Sequence, residues 1–163
     1  AKLGDFGVAC DLEDCEKGKR GMLGSPPYMA PEVWRGRGHR LNSDVWSAGI
    51  LAFELFVGRL PVALDPTNWD IPDCRAQMWR HPFRRFVPSP SFDITSDPGF
   101  LLLRNEDPQL AALLRQMLRK RVWRRPSIHQ VLSRVTKLAR SRGVEVSEQP
   151  ASVLRQVSPR EAA

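Results

Sequence analysis

Residues 42–58, NSDVWSAGILAFELFVG, carry apolar positions that make no stripe. On a helix, Val45, Trp46, Ala48, Ile50, Leu51, Ala52, Phe53, Leu55, Phe56 and Val57 would cover the whole circumference. A helix that is apolar all round is either buried on every side or set in a bilayer. Ser47, Gly49 and Glu54 interrupt this run, which falls short of the about 20 apolar residues that a membrane span needs. The pattern therefore predicts a central core helix with other elements packed around it. Asn42, Ser43 and Asp44 offer successive N-caps, and Gly58 stands where the helix would stop.

Two further helices are legible. Asp107-Pro108 sets an N-cap before a proline at the first helical position, and Leu110, Leu113, Leu114, Met117 and Leu118 follow the i, i+3, i+4 spacing of a core-facing stripe. Ser127 opens the last helix, with Ile128, Val131, Leu132, Val135 and Leu138 expected inward, Arg134, Lys137 and Arg140 outward, and Gly143 at its end. Between the core helix and Asp107 the pattern weakens. Residues 73–79 read as a short helix, and residues 84–107, with Pro88, Pro90 and Asp97-Pro98-Gly99, read as a long irregular connection that is expected to include an insertion. Residues 1–4 read as the end of a strand, residues 8–24 as a mobile loop, and residues 143–163 as a disordered tail.

Charge changes the picture in one place. The net charge is +7. Residues 1–118 carry 14 basic and 15 acidic groups, whereas residues 119–142 carry nine basic groups and no acid. The basicity belongs to that stretch, which reads either as a solvated helix face or as a docking patch for acidic partners, nucleic acid or an anionic membrane surface, with no aromatic interleaving to support nucleic acid. Cys10, Cys15 and Cys74 have no metal-ligand spacing and are expected as reduced thiols, which favours an intracellular location, cytoplasmic or nuclear. The chain begins at Ala1 and is expected to be a piece of a longer protein.

The chemistry sits in short motifs. Asp5-Phe6-Gly7 is followed, 27 residues from Asp5 to Glu32, by G-S-P-P-Y-M-A-P-E at residues 24–32. S-D-V-W-S-A-G then starts the core helix, and M-L-R-K-R-V-W-R-R-P-S occupies residues 117–127. In this order and spacing they resemble the C-terminal lobe of a eukaryotic protein kinase domain of the serine/threonine type, whose last motif reads M-L-x-x-D-P-x-x-R-P-S. The resemblance implies a mainly α fold: an activation segment and helices around a buried central helix, without the N-lobe. It makes residues 1–142 a partial kinase domain.

Residue by residue, the resemblance implies the following roles. Asp5 is the magnesium ligand, the Mg²⁺ bridging the phosphates of ATP. Phe6 and Gly7 set active or inactive states by packing and backbone flip. Ser25 faces the catalytic centre, and Tyr28 through Glu32 form the floor for a protein substrate with a Ser or Thr acceptor. Glu32 pairs with Arg125. Asp44 holds the backbone of the catalytic loop from below, Leu51 and Leu55 lie under the adenine-side stack, and Trp46 is structural. Glu54 is either a satisfied buried carboxylate or a receptor for a basic substrate residue.

Other family parts do not occur in this sequence. It has no G-x-G-x-x-G loop, no V-A-I-K lysine and no H-R-D-x-x-x-x-N, and Gly21 stands where many relatives carry a phosphorylatable residue. The chain alone is therefore expected to be inactive, with no catalytic residue of its own, and the alternative is a non-catalytic, kinase-like interaction module. Leaving about five large apolar side chains of the core helix uncovered would forfeit roughly 7–15 kcal/mol, comparable with a domain's whole stability of about 5–15 kcal/mol.

Overall fold

A computed structural model describes Gly7, residues 9–11, Asp14, and residues 25–35, 37–64 and 92–146. The strand expected at 1–4, Asp5 and Phe6, nearly all of the loop 8–24, the helix expected at 73–79, and the tail from 147 onward lie outside the described residues. The described elements are helical: α1 (Pro31–Trp34), α2 (Leu41–Val57), α3 (Pro98–Glu106), α4 (Pro108–Met117) and α5 (Ile128–Ser141). Tight 3-10 turns occupy Pro26–Tyr28, Val62–Leu64, Ile94–Ser96 and Val122–Arg124. No strand occurs among the described residues, and no described helix is long and apolar enough to cross a membrane.

Helix α2 is the centre. It touches the Pro26–Tyr28 turn, α3, α4 and the Val122–Arg124 turn. Val45, Trp46, Ile50 and Phe53 are fully buried, together with Phe100 and Leu103 of α3 and Leu110, Leu113, Leu114 and Met117 of α4. Trp46 packs its ring against Phe92 with centroids 5.5 Å apart. Gly49 lets α2 approach α4 closely, since a Cβ there would stand 2.9 Å from Leu118 and 3.2 Å from Met117. At its C-terminus Gly58 takes φ +79° and donates its N–H to Glu54 O at 2.8 Å, a left-handed cap that L side chains adopt with strain.

The helix starts at least two residues earlier than the expected caps allow, with Arg40 at the N-cap in place of Asn42, Ser43 or Asp44. Ser43 acts from inside the first turn, where its hydroxyl accepts the Arg40 N–H at 3.0 Å. The burial of α2 is also one-sided. Leu41, Asp44, Ala48, Leu51, Leu55 and Phe56 are exposed, Leu55 to 76%. The all-round apolar pattern predicts cover on every side, but α3 and α4 pack on one half only, so the other half is bare.

Two other expectations are corrected. The stretch expected to be irregular contains α3, because Asp97-Pro98-Gly99 is a helix start: Asp97 Oδ1 accepts the Gly99 N–H at 2.7 Å, and Pro98 occupies the first helical turn. Asp97 also receives Arg59 Nη2 at 2.9 Å and the Val62 N–H at 2.8 Å, which ties the segment after α2 to the head of α3. In α5 only Val131 is buried, while Ile128, Leu132 and Val135 are exposed. The helix meets α4 along one edge of its apolar arc, so the remainder of the arc faces solvent. Arg134, Lys137 and Arg140 are exposed as expected. Helix α4 follows its predicted pattern throughout, with the Asp107 carboxylate capping the Leu110 N–H at 3.1 Å.

The thiol expectation fails at Cys10, which is disulfide-bonded. Cysteine number and spacing exclude metal motifs, but they do not say which sulfurs the fold brings within bonding reach.

Candidate functional site

The segment from Ser25 to Trp34 is laid across α2 and pinned there by side chains of that helix. Ser25 is exposed at its head, and its carbonyl receives the Tyr28 N–H at 3.1 Å to close the Pro26–Tyr28 turn. Pro26 and Pro27 preset the backbone for such a turn. The Ser47 hydroxyl donates to Tyr28 O at 2.8 Å, and the Tyr28 hydroxyl donates to Glu54 Oε2 at 2.5 Å. That hydrogen bond, then burial, then the Glu54 charge raise the Tyr28 pKa, so the phenol stays a donor. Met29 and Ala30 are buried, as is the whole of α1.

Below this floor lies a buried ion pair. Arg125 donates Nη1 to Glu32 Oε1 and Nη2 to Glu32 Oε2, both at 2.7 Å. The Arg125 side chain is 0% exposed and that of Glu32 9%. The remaining donors are used: Nη1 also reaches Asn42 O at 2.9 Å, and Nε reaches Arg119 O at 2.7 Å. The guanidinium carbon stands 5.1 Å from the Trp46 ring centroid, a cation–π contact that fills the space beside the pair. Ser43 Oγ donates to Glu32 Oε1 at 2.7 Å. One guanidinium thus joins α1, the head of α2 and the segment before α5.

Burial pushes the Glu32 carboxyl up, but the hydrogen bond and charge of Arg125, aided by Ser43, hold it below its ordinary value. A carboxylate whose folded pKa lies below its unfolded one contributes stability that is complete above the unfolded value and is lost as pH falls through the folded one. The chain should therefore lose stability as pH falls below the ordinary glutamate value of 4.5. Glu32→Gln should flatten that slope in urea titrations run between about pH 3 and 6; an unchanged slope would refute the assignment.

The site residues expected from sequence are placed in two groups. Ser25, Tyr28, Glu54, Glu32, Arg125 and Trp46 are brought into one connected assembly. Asp44, Leu51 and Leu55 share the bare face of α2, away from the ion pair. The Asp44 carboxyl is raised by the surrounding protein, opposed by His39, although the side chain stays open to solvent. Gly7 lies in an exposed turn. Asp5, the only magnesium ligand expected, is outside the described residues, among which no group of three or more His, Cys, Asp or Glu could hold a metal ion. Sequence reasoning missed Ser43 and Ser47 as site residues. Both stand inside an apolar run where a hydroxyl needs a partner, and that was the available signal.

The sequence matches the family model described as protein kinase domain over residues 1–135. It is 34% identical over 132 residues to the serine/threonine-protein kinase dst3 of Dictyostelium discoideum, covering 81% of this chain and 20% of that protein. Over 60 residues it is 48% identical to the probable serine/threonine-protein kinase mkcD of Dictyostelium discoideum, which covers 37% of this chain and 9% of that protein. Over a stretch of the same length it is 42% identical to the serine/threonine-protein kinase PLK2 of Mus musculus, with the same shares. The chain thus spans 9% to 20% of the length of these relatives.

Proposed function

The chain belongs to the eukaryotic serine/threonine protein kinases, and we propose that it supplies the substrate-facing half of a domain that transfers the γ-phosphate of ATP to Ser or Thr hydroxyls. The observation that carries this reading is the Ser25–Trp34 floor, fixed to α2 through Ser47, Glu54 and the buried Glu32–Arg125 pair. Phosphoryl transfer depends mainly on positioning and charge stabilisation. A floor held by buried hydrogen bonds is suited to present an acceptor hydroxyl in one place.

Each half of the site has its part. Ser25 is exposed at the edge of the floor, where its hydroxyl can meet the catalytic centre. Glu54, partly buried and engaged by Tyr28, is positioned to receive a basic residue of the substrate. Asp44, Leu51 and Leu55 are the surface on which a catalytic loop and an adenine-side stack would rest. Magnesium, when bound, would neutralise charge on the transferred group, and Asp5 is the residue of this chain that would hold it. The motifs for phosphate cover, phosphate-binding lysine, catalytic base and second metal ligand are not in this sequence.

The test has two arms. The 163-residue chain, incubated with radiolabelled ATP and a generic basic Ser/Thr peptide, should show no transfer. A full-length protein carrying this chain should phosphorylate the peptide, and Asp5→Asn should lower its rate by roughly a hundredfold or more. An active isolated chain, or a full-length protein indifferent to Asp5→Asn, would overturn the reading; a full-length protein without transfer would favour a non-catalytic module.

A further inference from the structure

The turn Val122–Arg124 presents a surface that substrate positioning does not use. Trp123 is 73% exposed, the most open aromatic of the described residues. The Arg121 guanidinium carbon lies 5.9 Å from its ring centroid. Arg119 Nη1 donates to Arg124 O at 3.1 Å, so this side chain is also held in place. No acidic side chain pairs with Arg121 or Arg124 among the described residues, and residues 119–142 contain no acid.

The backbone beneath is tied down by side chains from elsewhere in the fold. Asn42 Nδ2 donates to Val122 O at 3.3 Å, and Arg125 binds Arg119 O and, at 3.4 Å, Lys120 O. The turn is thereby anchored to the head of α2 and to the Glu32–Arg125 pair. Its N-cap is Arg121, with extended φ −80° and ψ 111° and no side-chain cap bond. Aspartate is a favoured residue at such a cap, where a guanidinium can accept nothing. A cation thus stands where local stability would favour an anion, and it is directed over an exposed tryptophan.

We propose that this turn is a docking site for an acidic segment of a protein partner, one that carries carboxylates for Arg121 and Arg124 and an apolar side chain for the face of Trp123. Charge complementarity identifies the partner. Arg stacked on an aromatic keeps its edge N–H groups for bidentate binding of carboxylates. Trp and Arg on an anchored base are the residue types that dominate interface energies. A single aromatic within residues 119–142 is not the succession of stacking platforms that single-stranded nucleic acid uses.

The experiment uses the whole chain and a fluorescein-labelled peptide of Glu-Glu-Leu repeats, with binding read by anisotropy. Trp123→Ala should weaken binding by roughly tenfold or more. Arg121→Asp should weaken it at least as much while leaving the melting temperature equal or higher, because the new carboxylate caps the turn. That pairing separates lost recognition from lost folding. Lys137→Ala, a charge change on α5, should alter the affinity by less than about twofold, and added salt should weaken binding of the native chain. Equal affinities for all variants, or no binding of the peptide, would overturn the proposal. So would tighter, Trp123-dependent binding of oligo-dT or of phosphatidylserine vesicles.

Discussion

Replacing Arg125 with alanine is expected to cost the chain about 3–5 kcal/mol, enough to unfold it or leave it barely folded. The magnitude follows from what remains. Glu32 would keep its buried charge with Ser43 and its own backbone N–H still donating to the carboxylate but no cation beside it, and the carbonyls of Asn42 and Arg119 would each lose a donor. The cavity beside Trp46 adds to the loss. Replacing both partners together, as in Glu32→Leu with Arg125→Met, should cost less than the sum of the single changes, because no uncompensated charge stays behind. Urea denaturation of both single variants and the double variant checks this. A change below about 0.5 kcal/mol for Arg125→Ala, the size typical of surface substitutions, would sink it.

The second large effect concerns the bare face of α2, and its sign depends on what covers that face. In the present chain, Leu51→Gln with Leu55→Gln should leave the unfolding free energy within about 0.5 kcal/mol, since neither side chain is buried, and should reduce self-association. Exposed Leu41, Leu51, Leu55 and Phe56 form the apolar surface that would drive such association. In a longer chain carrying the upstream kinase motifs, the same face would rest against the catalytic loop, and the pair of changes should cost roughly 1.5–3 kcal/mol for each leucine. Sedimentation velocity on the short chain and denaturation of the long one measure the two halves of this prediction. A large loss of stability in the short chain would show that the face is already covered in solution.

Much of the fold follows from sequence because its signals are local. The stripe at Leu110, Leu113, Leu114, Met117 and Leu118 needs only helical geometry to define a buried face, and Asp107-Pro108 needs only cap chemistry to start it. The motif residues Tyr28, Glu32, Trp46, Glu54 and Arg125 were legible as members of a family pattern, at separations that no local rule would join.

The family, the helical class, the start of α4 and the pairing of Glu32 with Arg125 that the motif implies are readable from residue order alone. Tertiary packing settled which half of α2 is covered, since its apolar positions surround the helix and carry no direction. It decided that Ser43 and Ser47 hold the Ser25–Trp34 segment, because a hydroxyl's partner lies wherever the chain returns. It turned Asp97-Pro98-Gly99 from a loop signal into a helix start by bringing Arg59 and the Val62 N–H to the same carboxylate. And it left Ile128, Leu132 and Trp123 in solvent, because burial depends on how many neighbours arrive at a surface, which residue type alone does not set.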